Sequence, residues 1–319
     1  MTTRKVYFNG EFVSEQEARV SIFDSALMFG DMIFDMTRTY LQKPFKLRAH
    51  LERTYAGLKY LGINCGLTLE EMERATLQTL EVNLLALDGA DAQIMHNISR
   101  GPLAVYRGVF GGTIGPTVTI NCWPYWWHLA AYGPLYRAGI NAVVPAQHSV
   151  PAYLIDPKVK NRSRIYYQMA NLQVQKTDPN GWALLTDDHG CITEGSGSNF
   201  FIVRKGRVAT PPGRNILQGI TRAAVLDLLK ELALPASEED FGLYEVTNAD
   251  EAFFTATSFG IMPCTRINGQ PIGSGQPGNL TKKLIAAWSQ MVGVDIIAQA
   301  DDYARKVKEM EMELVAAGR

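Results

Sequence analysis

Two rhythms of hydrophobic and polar positions run along this chain, and the changes between them mark its elements. At the start, "KVYF" and "EFV" alternate with period two around Asn9-Gly10, a dipeptide that favours a tight hairpin turn. The rhythm then turns helical. In "RAHLERTYAGLKYLGI", Leu51, Tyr55, Leu58 and Leu61 share one stripe, and "TLEEMERATLQTLEVNLLAL" opens with Thr68 and Glu71 at capping-box spacing. "AQIMHNISRG" and "TVTINCW" read as strands. The stretch 123–139, "WPYWWHLAAYGPLYRAG", is rich in aromatics, Pro and Gly without a clean period and reads as an interdomain linker.

The second half mixes both rhythms again. "INAVVPA" and "WALLTD" are strand-like, and Ile165, Met169 and Leu172 give "IYYQMANLQVQK" a helical stripe. "NFFIVRKGRVATPP" predicts a hairpin with Lys205-Gly206 at its tip. "TRAAVLDLLKELAL" is an amphipathic helix with Val225, Leu228, Leu229 and Leu232 in register. "EAFFTA" is a strand, "RINGQPI" carries a second Asn-Gly turn, and helical patterns around 279–291 and 300–316 close the chain. The expectation is an α+β chain of two domains, a small one over 1–122 and a larger one over 140–319, joined by 123–139.

Composition narrows the function classes. The chain has 319 residues, 46% hydrophobic and 20% charged, with a formal net charge of -1. That balance gives no electrostatic case for nucleic acid or an anionic membrane. No apolar run is long enough to span a bilayer, and "MTTRKVYFNGEFV" lacks the apolar core of a signal peptide. Cys65, Cys122, Cys191 and Cys264 are far apart, which suggests neither a zinc site nor a disulfide scaffold. A cytoplasmic protein is expected.

Four stretches stand out as chemistry. In "DPKVKNRSRIYY", Lys158, Lys160, Arg162 and Arg164 alternate with other residues, so an extended backbone would put all four cations on one face. Crowded cations and burial both favour a neutral lysine, the form that attacks an aldehyde; a solvated basic edge strand is the plain alternative. In "LQGITRAAV", Gly219 leads into a helix at Ile220-Thr221, a start that suits an anion or is simply a capped surface helix. "CITEGSGSNFF" sets Glu194 before a Gly/Ser bend, where it is either buried or a turn residue in water. "FFTATSFG" ends a strand in Thr255, Thr257 and Ser258, as hydroxyl donors or as a polar turn. Together the four fit a pyridoxal 5'-phosphate site: an amine for the aldehyde, a carboxylate for the ring nitrogen, and N–H and hydroxyl donors for the phosphate. A non-catalytic anion or nucleic-acid binder using the basic face 158–164 is the competing class, and the net charge counts against it.

The same residues resemble the class IV, or fold type IV, aminotransferases, a group that spans branched-chain, D-amino acid and (R)-amine transaminases and aminodeoxychorismate lyase. The resemblance runs over nearly the whole chain, through "FNGEFV", "MFGDMIFDMTRTY", "KPFKLRAHLERTYAGL", the lysine stretch, "GCITEGSGSNFF", "LQGITRAAV", "DEAFFTATS" and "INGQPIG". It implies a two-domain pyridoxal phosphate enzyme of the D-amino acid aminotransferase-like fold, moving an amino group from an amino acid, hydrophobic or branched-chain by first choice, to a 2-oxo acid such as 2-oxoglutarate or pyruvate. It implies Lys160 as the Schiff-base lysine and proton shuttle. Lys158 competes, but Glu194 follows Lys160 by 34 positions and Lys158 by 36, and the shorter spacing matches the family. Glu194 would hold the ring nitrogen, and Arg53, Ile220, Thr221 and Thr257 the phosphate. Ser258, Phe29, Phe34, Arg100, Arg107 and Arg164 would line the substrate side, with one phenylalanine reaching across a homodimer interface. The chain departs from the branched-chain pattern in carrying Phe29 for a tyrosine, Asp35-Met36 for Glu-Gly, and Ile165 for the tyrosine five places after the lysine. "FGD" and Arg164 resemble the D-amino acid and lyase branches.

Overall fold

The structure is a computed structural model that describes residues 3–112 and 114–316. It divides into two units, Met1–Tyr125 with Val159–Arg164, and Trp126–Lys158 with Ile165–Arg319.

The first unit contains β1 (Lys5–Phe8), β2 (Glu11–Ser14), α1 (Ser25–Phe29), β3 (Met32–Tyr40), β4 (Lys43–Pro44), α2 (Leu47–Leu61), α3 (Leu69–Glu81), α4 (Leu84–Leu87), β5 (Ala92–Ser99), α5 (Arg107–Phe110) and β6 (Thr117–Pro124). The strands form one antiparallel sheet in the order β2-β1-β6-β5-β3-β4. Period-two alternation gives the sheet one apolar face, with Ile33, Ile94, Ile98, Val118 and Ile120 buried against Leu51, Leu58 and Met72 of α2 and α3. The helices begin where their sequences say: Thr68 and Glu71 make the reciprocal capping box of α3. Asn9 and Gly10 both take positive φ, as the β1–β2 turn requires.

The second unit contains α6 (Trp126–Tyr132), α7 (Leu135–Ala138), β7 (Ile140–Val143), α8 (Ile165–Thr177), β8 (Trp182–Thr186), β9 (Ile192–Gly195), β10 (Asn199–Arg204), β11 (Arg207–Thr210), α9 (Ile220–Glu231), β12 (Ala236–Glu238), α10 (Leu243–Thr247), β13 (Glu251–Ala256), β14 (Gly260–Ile267), β15 (Gln270–Pro271), α11 (Asn279–Val292) and α12 (Ile296–Ala316). Its sheet runs β12-β11-β10-β13-β14-β7-β8-β9, with β15 on β14. Strand β9 also pairs with β10, at Glu194 opposite Asn199, so six strands close into a ring. Among the described residues no helix is long and apolar enough to cross a membrane.

Two boundaries differ from the sequence expectation. The stretch 123–139 is folded rather than a connector: β6 runs to Pro124, α6 and α7 follow, and Tyr125, Trp126 and Leu129 are buried. Its two helices have only seven and four residues, too few turns to show a period. The basic run is also divided, because Val159 enters the apolar core of the first unit and draws 159–164 with it.

Candidate active site

The residues singled out by sequence fall into two groups, one in each unit. In the first unit, 159–162 lies along the free edge of β3. Phe34 N–H donates to Lys160 O at 3.0 Å, Arg162 N–H donates to Met32 O at 3.0 Å, and Asn161 bridges Ile33. This short extended register turns Asn161 inward and Lys160 and Arg162 outward onto Phe34. Lys160 Nζ lies 4.9 Å from the Phe34 ring centroid, the Arg162 guanidinium carbon 3.7 Å and that of Arg164 5.4 Å. Phe34 is thus buried beneath three cations. Alternation had placed Lys158 with them. It lies instead 3.2 Å from Asp156, with its side chain 45% exposed. Gly30 keeps the loop close: it has φ +67°, and a Cβ there would meet Ser163 Oγ at 2.7 Å.

Beneath the sheet, Asp35 is fully buried and accepts from Arg53 Nε and NH2, each at 2.8 Å, with His50 Nδ1 also 2.8 Å away. Burial alone would raise the Asp35 pKa, but the guanidinium of Arg53 and then His50 outweigh it and hold the carboxyl far below its usual range. Burial lowers the His50 pKa against the opposing pull of Asp35, and its Nδ1 contacts the carboxylate of the Arg53–Asp35 ion pair. Arg53, expected at a phosphate, is anchored here. Arg100 engages Asp31 through Nε and NH2 at 2.7 and 3.2 Å, and Leu61 O and Gly62 O at the end of α2, which occupies four of its five donors. These contacts tie Arg100, read from sequence as a substrate-carboxylate residue, to the end of α2. Phe29 and Arg107 are exposed.

In the second unit, the register of three neighbouring strands aligns Glu194, Asn199 and Thr255 in a row. Glu194 is buried, 4% exposed. The Tyr167 hydroxyl donates to its Oε1 at 2.5 Å, while Asn199 Nδ2 and Leu217 N–H donate to its Oε2 at 3.2 and 3.0 Å. Asn199 Nδ2 also donates to Leu217 O at 2.9 Å, which ties the carboxylate to the segment leading into α9. Gly219 caps that helix without a side-chain hydrogen bond, and a Cβ on it would lie 2.1 Å from Asn199 Oδ1. Only glycine permits that approach. Thr221 is buried in the first turn rather than capping a surface helix, and Ile220 is half-buried. Thr255 Oγ1 is buried without a hydrogen-bond partner. Thr257 and Ser258 follow it in the turn after β13, half-buried, with Ser258 hydrogen-bonded to Tyr132.

These features suit pyridoxal phosphate: a buried carboxylate for a protonated ring nitrogen, a helix start whose N–H groups lack a side-chain cap, a glycine that leaves room, and an orphaned hydroxyl. Sequence reading missed Asn199, Tyr167 and the Asp35–His50 pair. The only signal for Asn199 was its place in "EGSGSN", since its partnership with Glu194 depends on strand register.

The sequence profile of the amino-transferase class IV family matches residues 32–267. A Methanocaldococcus jannaschii protein, provisionally named a branched-chain-amino-acid aminotransferase, is 38% identical over 287 residues, covering 88% of this chain and 93% of its own length. The D-alanine aminotransferase of Bacillus licheniformis is 29% identical over 284 residues, covering 89% and 95%. Among solved structures, the branched-chain aminotransferase of Thermoproteus uzoniensis with norvaline superposes with a TM-score of 0.81 at 28% identity, covering 95% of this chain and 97% of that one.

Proposed function

The chain belongs to the class IV aminotransferases, which are pyridoxal phosphate enzymes, and from that premise we propose that it moves the amino group of a hydrophobic or branched-chain amino acid to a 2-oxo acid such as 2-oxoglutarate or pyruvate. The observation that carries the reading is the buried Glu194 carboxylate, with donors from Tyr167, Asn199 and Leu217, beside the uncapped start of α9. Bound pyridoxal phosphate supplies an aldehyde that takes up the amino group and a protonated ring that draws electrons from the substrate carbon. Glu194 keeps the ring nitrogen protonated. Ile220 and Thr221 N–H groups and the Thr221 and Thr257 hydroxyls would hold the phosphate, with Arg53, oriented by Asp35 through Nε and NH2, as a further donor, and Ser258 would face the substrate. Lys160 Nζ would take the proton from the substrate carbon as a base and give it up again as an acid.

The donor preference rests on the relatives named for branched-chain amino acids, against 29% identity to the D-alanine enzyme. A donor panel of both enantiomers, run against pyruvate and 2-oxoglutarate with keto product measured, tests it. L-leucine, L-isoleucine and L-valine should lead, and a preference for D-alanine would overturn the assignment. A homodimer is part of the same proposal. Ile22, Leu27 and Phe29 expose 72%, 67% and 66% of their surface, and Val105 and Val109 expose 79% and 71%. The two segments are joined through Leu103 N–H to Phe23 O and Ser25 N–H to Gly101 O, so these side chains form a shared apolar surface suited to a second copy. Cytoplasmic placement is proposed on the buried free thiols Cys65, Cys122 and Cys264.

A further inference from the structure

Arg162 sits in a different environment from Arg53 and Arg100 of the same unit. Arg53 is paired with Asp35, and Arg100 with Asp31. Arg162 sits over the Phe34 ring, and its NH2 donates to Asn97 Oδ1 and Met95 Sδ, both at 2.9 Å. These contacts fix where the guanidinium points, and every one of them is neutral. Among the described residues, no carboxylate pairs with it. The side chain nevertheless remains exposed. Burial of part of the group and the adjacent Arg164 both lower its pKa, so the site disfavours positive charge as it stands and an incoming anion would relieve the repulsion.

Its position gives that anion a chemical identity. Lys160 Nζ and the Arg162 guanidinium carbon stand over one aromatic ring, 4.9 and 3.7 Å from its centroid, so they cannot be farther apart than those two distances combined. A planar fork held that close to the reacting amine suits a carboxylate on the molecule that amine works on. We propose that Arg162 is the substrate-carboxylate residue of this enzyme, positioned by Phe34, Asn97 and Met95. The inference rests on the aminotransferase reading with Lys160 as the reacting lysine. The carboxylate is either the one on the reacting carbon or the distal one of a dicarboxylic 2-oxo acid, and the two sources are separable.

The test titrates the pyridoxal phosphate-loaded protein with 4-methylvalerate, which has one carboxylate, and with glutarate, which has two, and reads binding from the visible absorbance of the cofactor. Arg162→Gln is expected to keep that absorbance and to weaken binding at least tenfold. Loss for both acids assigns Arg162 to the carboxylate shared by every substrate, and loss for glutarate alone assigns it to the distal one. Arg162→Lys, which keeps charge without the fork, should recover part of the affinity. Arg162→Gln binding both acids within twofold of the unsubstituted protein overturns the inference while leaving the aminotransferase reading intact. A lysine variant as weak as the glutamine variant also overturns it. Failure of the unsubstituted protein to take up pyridoxal phosphate removes the underlying reading, and this inference falls with it.

Discussion

Replacing Asp35 by Asn tests whether the buried network under β3 is held by charge. The substitution preserves shape and removes one negative charge. In the native unit, Arg53 directs Nε and NH2 at the two carboxylate oxygens, with side chains 11% and 1% exposed. An amide offers one acceptor oxygen and presents an NH2 group to the other donor, so one N–H of a largely buried guanidinium loses its partner. Breaking a buried pair from one side costs about 3–5 kcal/mol, because the remaining charge is left uncompensated. Urea denaturation at pH 7 should show a loss of that size. Replacing both members by apolar residues, as in Asp35→Leu with Arg53→Met, should recover most of it, because no charge is then stranded. The dependence on pH has a definite sign. The folded-state pKa of Asp35 lies below the unfolded value of about 3.9, so its stabilisation is complete above that pH and fades as pH falls. The penalty for Asp35→Asn should therefore be smaller at pH 3 than at pH 7. A loss under about 1 kcal/mol at pH 7, or one unchanged at pH 3, would refute the charge argument.

Two further outcomes are expected. His96 is fully buried, with Nε2 2.8 Å from Thr76 Oγ1, and burial pushes its pKa down to about 4. The unfolded chain takes up that proton near pH 6.5, so stability should be full above 6.5 and decline toward pH 4 by roughly 3 kcal/mol on this account; His96→Leu should flatten that part of the stability–pH curve, and an unchanged slope would assign it to other groups. Gly219→Ala should weaken pyridoxal phosphate binding at least tenfold in equilibrium dialysis, because its methyl group displaces Asn199 from Glu194; unaltered affinity would show that the close approach at Gly219 does not matter to the site.

Local features of this fold were legible in the sequence. Asn9-Gly10, Lys205-Gly206 and Asn268-Gly269 all take positive φ at hairpin tips, since a two-residue turn demands that backbone and few residues supply it. Thr68 and Glu71 announced a capping box, and the Leu51–Leu58 stripe announced a buried helix face. Long-range register was not legible. Nothing in "CITEGSGSNFF" fixes Asn199 opposite Glu194, or brings Tyr167 from α8 onto the same carboxylate. Asp35 looked like a departure from a family motif, whereas its place on the inward side of β3 makes it the anchor of Arg53. Alternation grouped four cations, and tertiary structure kept three of them on Phe34 because Val159 is buried in one unit while Lys158 turns to Asp156.

The central claim is that Lys160 is the lysine that carries the cofactor. Loading the protein with pyridoxal phosphate, reducing it with borohydride and mapping the modified peptide by mass spectrometry tests this directly. A single pyridoxyl group is expected on Lys160, with Arg162 unmodified in the same peptide and no labelling in Lys160→Ala. A label on Lys158, or a protein that stays colourless and unlabelled after loading, would contradict it.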